Sequence, residues 1–191
     1  EKKEFEQFLG EFANAFKQLK SKGYMVLKNK GLEADDLAAW IVGKKEEFNI
    51  GDIWLISSDK DWDLLIKPTV SRFSYVTRKE VTSSNWSEHY EVDQEEYISF
   101  KCLTGDTGDN VPGIPGVGPK RAAALIQTYG SALDIADAMP LEGKYKYIQS
   151  TNDFGAEGIM RNYELMDLVT YCEDAVGSDN VKDIDKKIRD E

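Results

Sequence analysis

Histidine is nearly absent from this chain, with His89 its single example, and cysteine occurs only as Cys102 and Cys172. The two thiols stand 70 positions apart with no Cys-x-x-Cys or Cys/His ligand spacing, so no zinc site is written here. Both read as reduced core thiols of a cytoplasmic protein. His89 lies in a polar stretch far from any acidic motif and reads as a surface or packing residue, not a general base. No apolar run reaches membrane-spanning length and no signal peptide is visible, so the expectation is a soluble protein with no membrane partner. Basic residues are also few: 24 Lys and Arg face 35 Asp and Glu, for a net charge of −11. That balance argues at first against nucleic acid, whose phosphates attract clustered Lys and Arg. What is plentiful is core material. With 41% hydrophobic and 11% aromatic residues among 191, the chain can bury a core of one domain, or of one domain with an appendage.

The acids are not scattered. Glu33-Ala34-Asp35-Asp36, Ser58-Asp59-Lys60-Asp61 and Gly105-Asp106-Thr107-Gly108-Asp109-Asn110 place seven carboxylates on three short motifs beside small or apolar residues. Two like charges about 4 Å apart repel by roughly 4 kcal/mol at an effective dielectric near 20, so gathering them requires cations. Hard oxygen ligands in that number suit Mg²⁺ or Mn²⁺, and two such ions about 3.5–4 Å apart are the arrangement that hydrolyses phosphodiesters. Any one motif alone is better explained as an acidic turn or helix start. The succession of three favours a metal site, and two divalent ions would also offset much of the negative charge.

Phe5, Phe8, Leu9, Phe12, Phe16 and Leu19 recur at helical spacing, which predicts an amphipathic helix over Lys2–Lys20 with its aromatic stripe in the core. Tyr24–Leu27 reads as a buried strand. A helix then carries Glu33, Asp35 and Asp36 at its start and runs from Leu37 to about Phe48. Glu33 and Asp36, three apart, share a face, which suits chelation better than capping. Ile53–Ser57 is a nearly continuous apolar strand that delivers Asp59 and Asp61 to its carboxyl end, where ligand sites of open parallel α/β sheets lie. Val70–Tyr75 alternates as a further strand. Helices are expected over Ser84–Tyr90, Asp93–Leu103, Pro119–Tyr129, Ser131–Ala138, Lys144–Ser150, Ala156–Val169 and Val181–Arg189. The division expected is residues 1–100 for an α/β core and 101–191 for a helical region.

Val111-Pro112-Gly113-Ile114-Pro115-Gly116-Val117-Gly118-Pro119-Lys120-Arg121 lacks the Gly-Lys-Ser/Thr of a nucleotide-binding phosphate loop. It reads instead as a turn between helices. Pro119 suits the first helical position, and Lys120 and Arg121 stand beside it. Gly113, Gly116 and Gly118 let backbone N–H groups approach a phosphate, and the helix start adds a favourable dipole. Such a loop can clamp a nucleic-acid backbone without reading bases. A tight turn with incidental charges remains the alternative for this loop taken alone.

Taken in order, the three acidic motifs, with Trp62 and Asp63 extending the second, and Gly113–Arg121 resemble the structure-specific 5′ nucleases. These include phage flap endonucleases, especially of the T-five type, and the 5′-nuclease domains of bacterial DNA polymerase I. The resemblance covers Glu33 to about Tyr171. It implies an α/β fold with a PIN-like parallel twisted sheet and a carboxyl-terminal helical region containing a helix-three-turn-helix DNA clamp. It also implies Glu33, Asp35 and Asp36 at a first metal ion, Asp59 between two ions, and Asp61, Asp106 and Asp109 at the second. Lys101 matches a family lysine near the reacting phosphate, and Lys120 and Arg121 match residues that hold the duplex. Backbone carbonyls around Val111, Ile114 and Val117 match a K⁺ site that helps bind phosphate. The implied activity is Mg²⁺- or Mn²⁺-dependent hydrolysis of flap, branched or nicked DNA by ion-activated water, with no nucleophilic side chain.

One departure stands out. Family members begin with a strand carrying an Asp, then a second Asp and a basic, aromatic helical arch, and none of these precedes Glu1. The expectation is therefore the carboxyl-terminal major part of a 5′ nuclease, present as a fragment, a processed product or one part of a split protein working with a separate amino-terminal piece. The rival is a DNA-binding module that keeps the clamp and lacks turnover. A PIN-type ribonuclease is weaker, because the glycine-rich clamp follows Asp109.

Overall fold

Sheet and helices meet at one acidic edge in a computed structural model that describes residues 2–189. Three strands form a mixed sheet in the order β1 (Ile53–Ile56), β2 (Val70–Ser74), β3 (Lys79–Val81). The first pair is parallel, in register from Ile53 with Val70 to Ile56 with Phe73; β3 runs antiparallel to β2, with Arg72 opposite Val81. β3 escaped the sequence reading because Lys79 and Glu80 hide its only buried residue, Val81.

Helix α2 (Ala34–Gly43) lies across this sheet, burying Ala38, Ala39 and Val42 against Leu55, Leu65 and Val70. Its other side buries Trp40 with Val176 and Ile184, from α7 (Cys172–Val176) and α8 (Ser178–Arg189). The Trp40 indole N–H donates to Asp185 at 2.8 Å, which satisfies its one polar atom. The largest core belongs to α3 (Tyr97–Thr104), packed on α4 (Pro119–Tyr129), α5 (Ala132–Asp137) and α6 (Lys146–Met166). Leu103, Leu125, Ile135 and Ile159 are fully buried there, each contributing about 1.5–3 kcal/mol by removal from water.

Several expectations need correction. Tyr24–Leu27 forms no strand, and Tyr24 is exposed. Ser84–Tyr90 holds only a 3₁₀ turn, Trp86–Glu88, and the helix expected from Asp93 begins with another, Gln94–Glu96. The two helices expected over Lys144–Ser150 and Ala156–Val169 are one element, α6, kinked at Gly155, whose φ of 74° breaks helical geometry. Helix α1 (Lys2–Ser21) is present, but Phe5, Phe8, Leu9 and Phe12 are exposed and none of its residues is buried. Periodicity shows that a face is apolar; what covers that face is tertiary information. Among the described residues, no helix is long and apolar enough to cross a membrane.

Candidate metal centre and nucleic-acid interface

The third acidic motif is built at a backbone crossing. Helix α3 stops at Gly105, whose φ is 74°, and β4 (Gly105–Asp106) pairs antiparallel with β5 (Val111–Pro112), closing the loop 107–110. A Cβ on Gly105 would sit 2.2 Å from the Gly113 nitrogen, and one on Gly113 would sit 2.0 Å from the Thr104 carbonyl oxygen, so the strands cross only as glycines. Gly113, expected to approach a phosphate, is thus explained by this crossing. Asn162, buried in α6, donates to the carbonyls of Cys102 (2.9 Å) and Pro112 (2.8 Å), bracing both sides of the loop. Within it, Asp106 accepts from the Gly108 N–H at 2.8 Å.

The second motif leaves the carboxyl end of β1. The Asp59 N–H donates to Ser57 Oγ (3.1 Å) and the Asp61 N–H to Asp59 Oδ1 (2.9 Å), and Asp61 opens a 3₁₀ turn through Leu65. In the first motif the Glu33 N–H donates to Asp36 Oδ2 (3.0 Å) and the Asp36 N–H to Asp35 Oδ1 (3.0 Å). Glu33 and Asp36 form a capping box, so their spacing serves the start of α2, and both carboxylates also line the acidic cleft.

Asp61, Asp106 and Asp109 can each bring one oxygen within 4.8 Å of the others. Beside them opens a cleft of about 480 Å³ whose walls include Glu33, Asp35, Asp36, Asp59, Asp61 and Asp109. Burial raises the Asp61 carboxyl above its ordinary value despite the hydrogen bond from Lys101, with Asp59 and Asp106 adding to the rise. Burial also raises Asp35, helped by Asp36 and Asp59. Asp106 is lowered, first by the Lys101 hydrogen bond. Lys101, 5% exposed, donates to Asp61 and, at 3.0 Å, to Asp106; burial opposes its charge, yet these partners hold its pKa above the ordinary lysine value. An ammonium therefore already bridges two of the three carboxylates. This hard-oxygen donor set, in which burial first and neighbouring carboxylates second raise Asp61 and Asp35, fits divalent cations.

Across the helical region, Gly118 is the N-cap of α4 and Pro119 its first residue, as expected. Gly116, Gly118, Lys120 and Arg121 share a shallow exposed depression of about 300 Å³. Lys120 is exposed. Arg121 donates to the Gly116 carbonyl at 2.6 Å and lies 5.2 Å from the centre of the Tyr147 ring, so it shapes the loop as well as charging it. Val111, Ile114 and Val117 are buried, and the Ile114 carbonyl accepts the Val117 N–H at 2.9 Å.

Sequence reasoning missed the polar residues behind the site. β2 buries Val70, Arg72 and Ser74, so its alternation holds, but an arginine stands on the inner face. Arg72 pairs with Asp63, which also accepts the Tyr90 hydroxyl. Glu164, Asp167 and Tyr171 line the acidic cleft as well, with no motif to announce them.

A small sheet that presents acidic loops at its strand ends, fused to a helical region with a glycine-rich turn, defines an α/β protein with an acidic, cation-fitting cleft. Residues 92–187 match the model of the 5′-3′ exonuclease C-terminal SAM fold, and the chain belongs to the 5′-3′ exonuclease family. It is 43% identical over 186 residues to the flap endonuclease of Escherichia phage T5, an alignment covering 97% of this chain and 63% of that protein. A solved structure of a T5 5′-exonuclease point mutant superposes with a TM-score of 0.88 at 42% identity, over 96% of this chain and 75% of that one. A T5 flap endonuclease variant, described as a pseudo-enzyme-product complex with DNA and metal ions, superposes with a TM-score of 0.85 at 42% identity, over 97% of this chain and 67% of that one. The chain thus spans less than two thirds of the length of its T5 flap endonuclease relative.

Proposed function

We propose that this chain is the carboxyl-terminal major part of a Mg²⁺- or Mn²⁺-dependent structure-specific 5′ nuclease that hydrolyses phosphodiesters in flap, branched or nicked DNA. The observation that carries this reading is the convergence of Asp61, Asp106 and Asp109 around Lys101 at the edge of an acidic cleft. Two divalent ions would supply activation of water and stabilisation of the leaving oxygen. Asp61, Asp106 and Asp109 would hold one ion, Glu33, Asp35 and Asp36 the other, and Asp59 would stand between them. Lys101, which donates to Asp61 and Asp106, would stand beside the ions and be the cation nearest the reacting phosphate.

Residues 1–100 would then form the nuclease core and 101–191 the DNA-binding region. Lys120 and Arg121, with the exposed backbone of Gly116 and Gly118, would grip phosphates without reading bases. The carbonyls of Val111, Ile114 and Val117 are the candidate K⁺ ligands. A separate amino-terminal nuclease piece would complete the enzyme. Phe5, Phe8, Leu9 and Phe12 on α1, together with Trp54 and Ile56 on β1, leave apolar surface exposed for such a piece. The working compartment would be that of its DNA, the cytoplasm.

Binding of a fluorescent 5′-flap duplex, measured by anisotropy beside Mn²⁺ binding measured by electron paramagnetic resonance, tests the reading. Salt-dependent flap binding is expected, together with Mn²⁺ uptake that Asp106→Asn weakens. Absence of both would overturn it.

A further inference from the structure

A guanidinium on the inner face of a sheet is costly unless its donors are answered. Arg72 is 4% exposed and Asp63 2%. Arg72 Nε and Nη2 donate to the two Asp63 oxygens, the second at 2.7 Å, and Nη1 donates to the Ser57 carbonyl at 3.0 Å. Ser57 immediately precedes the second acidic motif and Asp63 follows it, so one side chain grips both ends of the segment that carries Asp59 and Asp61. Ser74, from the same buried face of β2, adds a hydroxyl contact to Ser58 at 3.3 Å. Asp63 is fixed in turn by the Tyr90 hydroxyl, which accepts from the Tyr97 hydroxyl at 3.3 Å.

We propose that Arg72 and Asp63 are positioning residues that hold Asp59 and Asp61 at the spacing a cation requires. The proposal rests on the metal-site reading above. Stability alone does not call for such a pair, because well-packed apolar residues of similar volume often replace a buried ion pair at no loss. Direction does call for it. Only a planar fork can reach a carboxylate with two N–H groups and a carbonyl with a third, whereas a lysine reaches as a point charge. The acidic segment lies largely at the surface, with Asp59 exposed and Asp61 half-buried, so its own packing does little to hold it.

The test compares the wild-type chain with Arg72→Lys, Asp63→Asn and the apolar double variant Arg72→Met/Asp63→Leu. Folding is checked by urea denaturation, Mn²⁺ affinity by electron paramagnetic resonance, and loop order by hydrogen exchange at the Asp59 and Asp61 amides without metal. The double variant keeps the proposal testable if a single variant, with its orphaned buried partner, fails to fold. Mn²⁺ affinity is expected to fall roughly 10- to 100-fold in each folded variant, as on loss of groups that orient metal ligands. The Asp61 amide is expected to exchange faster while amides of α4 do not change. A folded double variant whose Mn²⁺ affinity stays within about twofold of wild type, or whose loop amides exchange as before, overturns the proposal and leaves the metal reading standing. A wild-type chain that takes up no Mn²⁺ overturns both.

Discussion

The Lys101 ammonium lies 3.0 Å from an Asp106 carboxylate oxygen while also donating to Asp61, so one buried cation occupies the place between two acids of the candidate site. In metal-free protein this lysine compensates charges that have no other counter-ion at hydrogen-bond range among the described residues. Lys101→Met should therefore cost about 3 kcal/mol of stability without divalent metal, as when a buried pair loses one partner. The loss should shrink with saturating Mg²⁺, which binds the folded state and replaces the missing charge. Asp106, its folded pKa depressed first by the Lys101 hydrogen bond, contributes stability above its ordinary pKa that disappears as pH falls through the lower folded value, and the variant should weaken this dependence, leaving the part due to the Gly108 N–H. Urea denaturation in both buffers measures it. Equal loss with and without Mg²⁺ would contradict the account.

Gly113→Ala should be among the most damaging single substitutions in the chain. The added methyl would meet the Thr104 carbonyl at 2.0 Å, and both backbones are pinned by Asn162. A cost of about 3 kcal/mol or more is expected, because neither neighbour can move aside. Gly118→Ala, with nothing within 4 Å of the new Cβ, should leave stability nearly unchanged. Thermal melts of the two variants check the contrast.

Lys120→Ala should weaken flap-duplex binding equally across sequences and reduce the slope of log affinity against log salt by about 0.9, the value for one phosphate contact. Its side chain is exposed and makes no hydrogen bond or ion pair among the described residues, so the melting temperature should hold. Anisotropy titrations at several salt concentrations provide the slope, and an unchanged slope would remove Lys120 from the interface.

Neither thiol should react readily in the native state. Burial pushes Cys102 up to about 12 and Cys172 up to about 11, so both are protonated in mildly alkaline buffer and present little thiolate. A disulfide-exchange reagent should label Cys172 slowly and Cys102 only on unfolding; fast labelling of Cys102 would mean that α3 opens.

Much of the site was legible because its chemistry is spelled in short motifs. Asp61, Asp106 and Asp109, which the family resemblance grouped at one ion, have oxygens within 4.8 Å of one another although they stand as much as 48 positions apart. The helix opening at Pro119 was legible from local turn chemistry. The residues behind the acids were not. Arg72 sits at a strand position whose alternation marks it as buried, yet nothing local to the strand announces that Asp63 and Tyr90 will meet it there. Asn162 is one polar residue in a long helix, and its two carbonyl partners come from segments 50 and 60 residues away. The aromatic stripe of α1 shows the converse, since helical spacing located the apolar face correctly but could not say that these residues leave it uncovered.

Single-turnover cleavage of a 5′-flap substrate with Mg²⁺ tests the central claim most directly. The chain would be assayed alone and as a fusion carrying the preceding segment of the T5 flap endonuclease, each with and without Asp106→Asn. The account predicts flap binding by both forms, feeble cleavage by the chain alone, strong cleavage by the fusion, and loss of that cleavage with Asp106→Asn. Full-rate cleavage by this chain alone, or cleavage by the fusion that survives Asp106→Asn, would contradict it.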